Sequence, residues 1–489
     1  MISFSLALLL LVAGYFIYGT AVSRIFGQDP KRVTPVHTRA DGVDFVELPT
    51  WKIFLIQFLN IAGLGPIFGA IMGVMFGPAA FLWIVFGTIF AGAVHDYMSG
   101  MMSLRSDGAS LPEIVGSQLG KGIKNVMRVF SLLLMILVGA VFVYNPADLM
   151  AMLTPDHLDR TFWIVVIFAY YMLATLLPID KLIGRLYPLF GLALLFMAVG
   201  IMTMLYVNAG SMPEIWENFG NRRLDADSAP IFPMMFVSIA CGAISGFHAT
   251  QSPMMARCLK NERHARPVFY GAMVTEGIVA LIWAAAAVTF TGGYAELQQT
   301  LGEGSPAVLV NSISKDWLGA AGGILAILGV IAAPITSGDT ALRSARLIAA
   351  DFMNIPQKKI IRRLAVSVPI FILCFIVMSV PYEVLWRYFA WCNQVLSVFT
   401  LWAITVYLAK HGKTYAVTMI PAMFMTAVTV TYILYAPEGL TALTSMAFGT
   451  QISYEVATGA GITATILLGA LFMRYRRSQE NAGLAGRAQ

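Results

Sequence analysis

The chain has 489 residues, of which 58% are hydrophobic and only 12% charged. Soluble domains carry about 25% charged residues, so a water-soluble multidomain enzyme, a disordered chain and a small disulfide scaffold are all excluded, leaving a polytopic all-α membrane protein. The net charge of +6 does not mark a nucleic-acid binder, because the basic residues sit in short segments between long apolar runs.

A membrane span needs about 20 apolar residues. Residues 2–23 form the first; the stretch is too long for a cleaved signal peptide and lacks its basic start, so a retained helix is expected. Residues 53–94 contain no Asp, Glu, Lys or Arg, room for two spans parted at Gly77-Pro78. Applied throughout, this test predicts thirteen spans: 2–23, 51–76, 79–103, 125–146, 161–179, 186–208, 231–253, 268–291, 317–342, 364–380, 384–409, 415–436 and 456–473. With the N-terminus outside, 27 of the 32 Lys and Arg fall in inner loops or at span edges there. The outer loops hold only Arg160, Arg222, Arg223 and Lys315. One missed helix would scramble this asymmetry, so it supports an odd count and a cytoplasmic C-terminus. Cys241, Cys374 and Cys392 lie in apolar runs and Cys258 in a basic loop, which predicts no disulfide framework.

Two spans are unlike the others. The second reads Asn60-Ile61-Ala62-Gly63-Leu64-Gly65-Pro66, and the seventh Cys241-Gly242-Ala243-Ile244-Ser245-Gly246-Phe247-His248. Gly and Pro weaken a helix at mid-membrane, and freed backbone groups are tolerated there only where protein or a wet cavity satisfies them. Each interrupted span opens a block of five, 51–208 and 231–410. Five is odd, so the second block enters from the opposite side. This is the pattern of inverted repeats, in which paired broken helices form a midplane site. Residues 1–50 are then a leading span with its inner loop, and 411–489 two trailing spans with a cytoplasmic tail. The ladder Gly65, Gly69, Gly73, Gly77 also fits simple close helix packing.

Ionisable residues inside spans are costly and mark function by default. Asp96, beside His95 in span three, is a candidate proton carrier or a structural ion pair. As chain neighbours the two are expected on different sides of their helix. His248 follows the break of span seven, and Glu276 lies in span eight without a basic neighbour; both are candidates for proton coupling. Thr336, Ser337 and Asp339 end span nine, where they offer oxygens to Na⁺ or a carboxylate to H⁺. The alternative pairs Asp339 with Arg343 at i+4. Arg387, Asn393 and Gln394 are polar residues in span eleven, suited to substrate contact, gating or interhelical hydrogen bonds. No metalloprotease, CxxC or nucleophile-elbow motif occurs, so an enzyme is not expected.

At these residues the chain resembles the carbon starvation protein A family of membrane transporters. The likeness rests on Asp29-Pro30-Lys31-Arg32, Asp41-Gly42-Val43-Asp44-Phe45-Val46, Ile61 to Pro66, Ala91 to Asp96, Asp107 to Leu111, Cys241 to His248, Gly271-Ala272-Met273 with Glu276, Asp339 to Arg346, and Asn393-Gln394. It covers about residues 15–435. The resemblance implies a LeuT-type fold of the amino acid–polyamine–cation transporters, a bacterial inner-membrane location, and uptake of short peptides or, in relatives, pyruvate, with H⁺ as the usual coupling ion. The chain is shorter than many members, and Ala249-Thr250-Gln251-Ser252-Pro253 stands where long members carry a Ser-Ser-Gly-Thr-Thr-Pro-type run.

The expected function is secondary active transport by thirteen helices arranged one, five, five and two. Asn60, Ala62, Gly63, Gly65, Ser245, Phe247, His248 and Asn393 are the expected substrate contacts, and Asp96, Glu276, Thr336, Ser337 and Asp339 the expected coupling residues. No cofactor beyond H⁺ or Na⁺ is expected; the partners are substrate and bilayer, and the oligomeric state is left open. A pyruvate or monocarboxylate symporter is the alternative, a membrane nutrient sensor the alternative of another class, and an intramembrane hydrolase a weaker one.

Overall fold

The computed structural model describes residues 1–177, 183–208, 213–217 and 219–485. Lys181 and Arg487, two basic residues assigned to inner segments, lie outside the described residues. Every regular element among the described residues is helical. In chain order, α1 spans Ile2–Phe26, α2 Thr50–Ile61, α3 Gly65–Val74 and α4 Ala79–Arg105. A short α5, Leu111–Leu119, precedes α6, Lys121–Leu153, then α7, Arg160–Leu176, and α8, Ile183–Val207. A helical stretch at 231–238 is α9, followed by α10, Gly246–Ala256. Then come α11 (Glu262–Thr291), α12 (Tyr294–Glu303), α13 (Pro306–Leu325) and α14 (Leu328–Met353). The chain closes with α15 (Ile360–Val377), α16 (Tyr382–Lys410), α17 (Ala416–Tyr435), α18 (Leu440–Phe448) and α19 (Tyr454–Ala485).

Nine helices among the described residues are long and apolar enough to cross a membrane, or eleven when each of two bent pairs counts as one span. The chain is a multi-pass membrane protein. The bent pairs are α2–α3, at 54°, and α13–α14, at 57°. The first bend has a local cause. Pro66 lacks an N–H and sits in the first turn of α3, where none is needed, while Gly63 lies within the non-helical residues 62–64 and Gly65 follows them. The second interrupted span is α9–α10, whose residues 239–245 are not helical.

Three short helices, α5, α12 and α18, occupy stretches that the span test leaves as loops. At nine or ten residues each they are far below span length. The buried centre is built from α2–α4, α6, α10, α11, α14 and α16. At the periphery, α19 packs on α17 and barely touches α16.

Candidate substrate and coupling site at two helix breaks

The two interruptions lie against each other. A Cβ on Gly65 would stand 2.1 Å from Cys241 Cβ, one on Gly69 2.8 Å from the Ser238 carbonyl oxygen, and one on Gly73 2.0 Å from an Ile239 side-chain carbon. The glycine ladder of the second span is therefore the surface on which the other interruption rests, so close packing and paired breaks are one feature here. Gly77 serves differently: its φ of +98° makes the left-handed turn that ends α3.

The freed backbone at 239–245 is satisfied by side chains from other helices, as a membrane interior demands. The Gly242 carbonyl accepts from Thr88 Oγ1 at 3.0 Å and the Ile244 carbonyl from Gln394 Nε2 at 3.1 Å. Asn393 Oδ1 accepts from the Phe247 amide at 2.6 Å and from Ser245 Oγ at 3.0 Å. Asn393 and Gln394 thus hold the break open from α16. Ser245 and Phe247, both expected substrate contacts, spend these polar groups on Asn393. Arg387 lies apart: it is exposed and pairs with Glu438 at 3.5 Å.

Just beyond this break, four ionisable residues from three helices meet with no solvent exposure at all. Asp96 Oδ1 is 2.7 Å from His95 Nδ1, and Asp96 Oδ2 is 2.9 Å from His248 Nδ1. On its other side, His248 Nε2 is 3.5 Å from Glu276 Oε2. The expectation that His95 and Asp96 face apart is corrected here: neighbouring side chains are long enough to reach across the turn. An ionised carboxylate only accepts, so with Asp96 ionised both imidazoles carry their proton on Nδ1. Nε2 of His248 is the nitrogen not engaged by Asp96, and it faces Glu276 at 3.5 Å, whose two oxygens have no hydrogen-bond partner among the described residues.

At the first break, Ser337 Oγ reaches the Asn60 carbonyl at 2.8 Å and the Leu59 carbonyl at 3.4 Å, and a Cβ on Gly63 would come within 3.0 Å of it. Both amide atoms of Asn60 are buried without a partner among the described residues. Ala62 lies at the same bend, its amide still bonded to Phe58 at 2.8 Å. Thr336 bonds its own helix at Ala333. Asp339 is not brought to Ser337: its Oδ2 accepts from Tyr187 on α8. Nor does it take Arg343, which reaches Asp44 at 3.5 Å and the Ala174 and Leu177 carbonyls at 2.6 and 2.9 Å. The bare carbonyls at the end of α7 and a loop carboxylate outcompete the i+4 partner.

Asp44 belongs to the loop motif Asp41 to Val46, but no sequence argument assigned it a role. From the loop between α1 and α2 it enters the helical bundle, 4% exposed, and meets Arg346 at 3.2 Å as well as Arg343, both fully buried. Burial alone would push its carboxyl up, but Arg346, Arg343 and Arg257 outweigh it and hold the carboxyl below the usual range. Arg257 also donates to the Gly108 carbonyl at 2.9 Å, tying α10 to the turn after α4. A polar cavity of 520 Å³ opens here, lined by Arg39, Asp41, Asp44, Asp107, Arg257 and Asp351 among others. A larger, apolar cavity of 860 Å³ lies between α5, α16, α17 and α19. Neither lies between the breaks, which are in direct contact. Gln57, Thr88 and Tyr187 were also missed; only Gln57, three residues before Asn60 in an apolar span, carried a visible polar signal.

The family model described as carbon starvation protein CstA matches residues 1–156, 150–314 and 297–432. An uncharacterized membrane protein of Haemophilus influenzae is 43% identical over 352 residues, covering 62% of this chain and 95% of that protein. The peptide transporter CstA of Campylobacter jejuni is 27% identical over 56% of this chain and 48% of its own. The pyruvate/proton symporter BtsT of Escherichia coli is 26% identical over 53% and 45%. The match thus spans about half the length of these two named relatives. Among solved structures, a manganese transporter of Eremococcus coleocola superposes with a TM-score of 0.57 at 12% identity, over 90% of this chain and 99% of that one, a likeness of fold alone. The chain belongs to the carbon starvation protein CstA family.

Proposed function

We propose that the protein is a secondary active transporter that couples H⁺ entry to uptake of short peptides across the bacterial inner membrane, with its N-terminus outside and its C-terminus in the cytoplasm. The carrying observation is the buried series Asp96, His248 and Glu276 directly after the second break. Asp96 fixes the tautomer and orientation of His248. One proton then resides on either His248 Nε2 or Glu276, 3.5 Å apart, in a centre without solvent exposure. An imidazole is suited to this exchange because its unperturbed pKa lies near physiological pH. His248 lies in the first turn of α10, and its amide bonds the Ser245 carbonyl at the break. Movement of α10 at the break would therefore alter the His248–Glu276 separation, which links protonation to conformation.

In this reading the interrupted 231–256 stretch and α7 join the eleven candidate spans to give thirteen. The five-plus-five inverted repeat sets α2–α3 and α9–α10 as its paired broken helices. Asn60, Ala62, Gly63 and Gly65 on one break and Ser245, Phe247, His248 and Asn393 at the other take the substrate when they separate. Asn60 is the polar group left free to do so. Ser337 and Thr336 are the place for a cation if Na⁺ replaces H⁺, and Asp339 with Tyr187 a second carboxylate able to carry a proton. The names of the Campylobacter and Escherichia relatives support transport.

A second reading, a pyruvate or small monocarboxylate symporter, is favoured by the tight contact of the two breaks, which suits a small anion better than a peptide. Proteoliposomes separate the two. Accumulation of labelled di- and tripeptides under an inward proton gradient supports the first; accumulation of pyruvate that peptides do not inhibit supports the second. Absence of gradient-driven accumulation of either counts against both, and saturable binding without exchange favours a sensor.

A further inference from the structure

We propose that the apolar groove between α5, α16, α17 and α19 is a binding site for an anionic glycerophospholipid, with its acyl chains in the groove and its phosphate among Lys121, Lys410 and Arg474. The inference rests on the chain's being a membrane protein and is independent of the transported substrate.

Three observations carry it. The first is the wall. The 860 Å³ space is lined by carbon, including Trp391, Val398, Trp402, Ile433, Leu468 and Phe472. The two indoles spend their N–H groups inward, Trp402 on Thr426 Oγ1 at 3.2 Å and Trp391 on the Thr429 carbonyl at 3.1 Å. Along these walls a peptide backbone finds nothing to bond, and water does not fill an apolar space without polar partners. Hydrocarbon is the occupant such a wall selects.

The second is the shape. Along α16 the lining runs from Trp391 to Val406, about 22 Å at the helical rise. That exceeds the roughly 15 Å depth of one leaflet, enough for an acyl chain lying along the helix. The groove exists because α19 packs on α17 and hardly on α16. An occupant there fills the gap between a trailing helix and the bundle.

The third is charge at one end. Gln118, Gly120 and Tyr475 line that end. Gln118 accepts from Lys410 at 3.2 Å, and Lys121 and Arg474 adjoin Gly120 and Tyr475 in the chain; all three cations are exposed. No described carboxylate lies within ion-pair distance of them. The nearby acids are already taken: Glu113 pairs with Lys124 and Arg128, and Glu480 with Arg476. An apolar slot with uncompensated positive charge at its mouth is complementary to a lipid with an anionic headgroup.

The test uses the full chain in nanodiscs and tryptophan quenching by brominated lipids. Brominated phosphatidylglycerol should quench a fluorescence component that is missing in Trp391→Phe/Trp402→Phe. It should do so at a concentration on the order of a hundredfold lower than brominated phosphatidylcholine, given three basic groups at about 1 kcal/mol each. Replacing Lys121, Lys410 and Arg474 together by Gln should equalise the two lipids. Ala464→Phe, which places a ring in the groove, should remove the component. Native mass spectrometry should find one phosphatidylglycerol retained by the wild type and none by Ala464→Phe. If Ala464→Phe fails to fold, the exposed-residue variant still decides the matter. Equal quenching by both lipids, a preference unchanged in the triple variant, or a wild-type protein that retains no lipid would overturn the proposal.

Discussion

Replacing Gly65 by Ala tests whether the two breaks form one contact. The backbone at Gly65 is not in the left-handed region, so the added methyl brings no conformational strain of its own. It would stand 2.1 Å from Cys241 Cβ and 2.4 Å from its Sγ. Carbon atoms pack at about 3.5–4.0 Å, so the overlap is about 1.5 Å and the interrupted spans must part by a comparable amount. The second break cannot simply yield, because Thr88, Asn393 and Gln394 hold its backbone from other helices. Overpacking of this kind costs about 1–3 kcal/mol. Cys241→Gly removes both clashing atoms, whereas Cys241→Ala leaves the Cβ in place. The double variant Gly65→Ala/Cys241→Gly should therefore recover most of the loss, and Gly65→Ala/Cys241→Ala little of it. Thermal unfolding in detergent, followed by a thiol-reactive dye at the buried Cys258, Cys374 and Cys392, reads the difference. Equal stability of Gly65→Ala and wild type, or equal rescue by Ala and Gly at 241, would refute the reasoning.

Asp44→Asn should lower stability by about 3–5 kcal/mol, because Arg343 and Arg346 would keep their burial without a counter-charge; adding Arg346→Met should restore part of it. Since the Asp44 carboxyl sits below its ordinary value of 3.8 in the folded protein, its contribution is complete above that value and lost as pH falls through the folded one. Melting curves should therefore show less acid sensitivity below about pH 4 in Asp44→Asn than in wild type. Asn393→Ala leaves the Phe247 amide and the Ser245 hydroxyl without their acceptor, at about 1–3 kcal/mol each. Asn393→Asp, which keeps an oxygen there, should melt closer to wild type in the same assay.

The breaks were legible in the sequence because Gly63, Gly65 and Pro66 near Asn60, and Gly242 and Gly246 near Ser245, contradict the demands of a spanning helix. Asp96, His248 and Glu276 were each conspicuous as ionisable groups in apolar runs. Their meeting was not legible, since it depends on how α4, α10 and α11 pack, and no spacing rule relates residues 152 positions apart. The i+4 rule offered Asp339 to Arg343, yet tertiary packing supplied the α7 carbonyls and Asp44. Tyr187, which donates to Asp339, lies in a span whose composition marks nothing about it. The short helices escaped notice for a simpler reason: α5, α12 and α18 are too brief for the length test that finds spans.

Glu276→Gln keeps the size of the side chain and removes its capacity to exchange a proton with His248. In proteoliposomes loaded with unlabelled substrate, this variant should exchange labelled for unlabelled substrate at a rate near wild type, yet fail to accumulate it under an inward proton gradient. Accumulation by Glu276→Gln equal to that of wild type, or accumulation by wild type that ignores the gradient, would contradict the account.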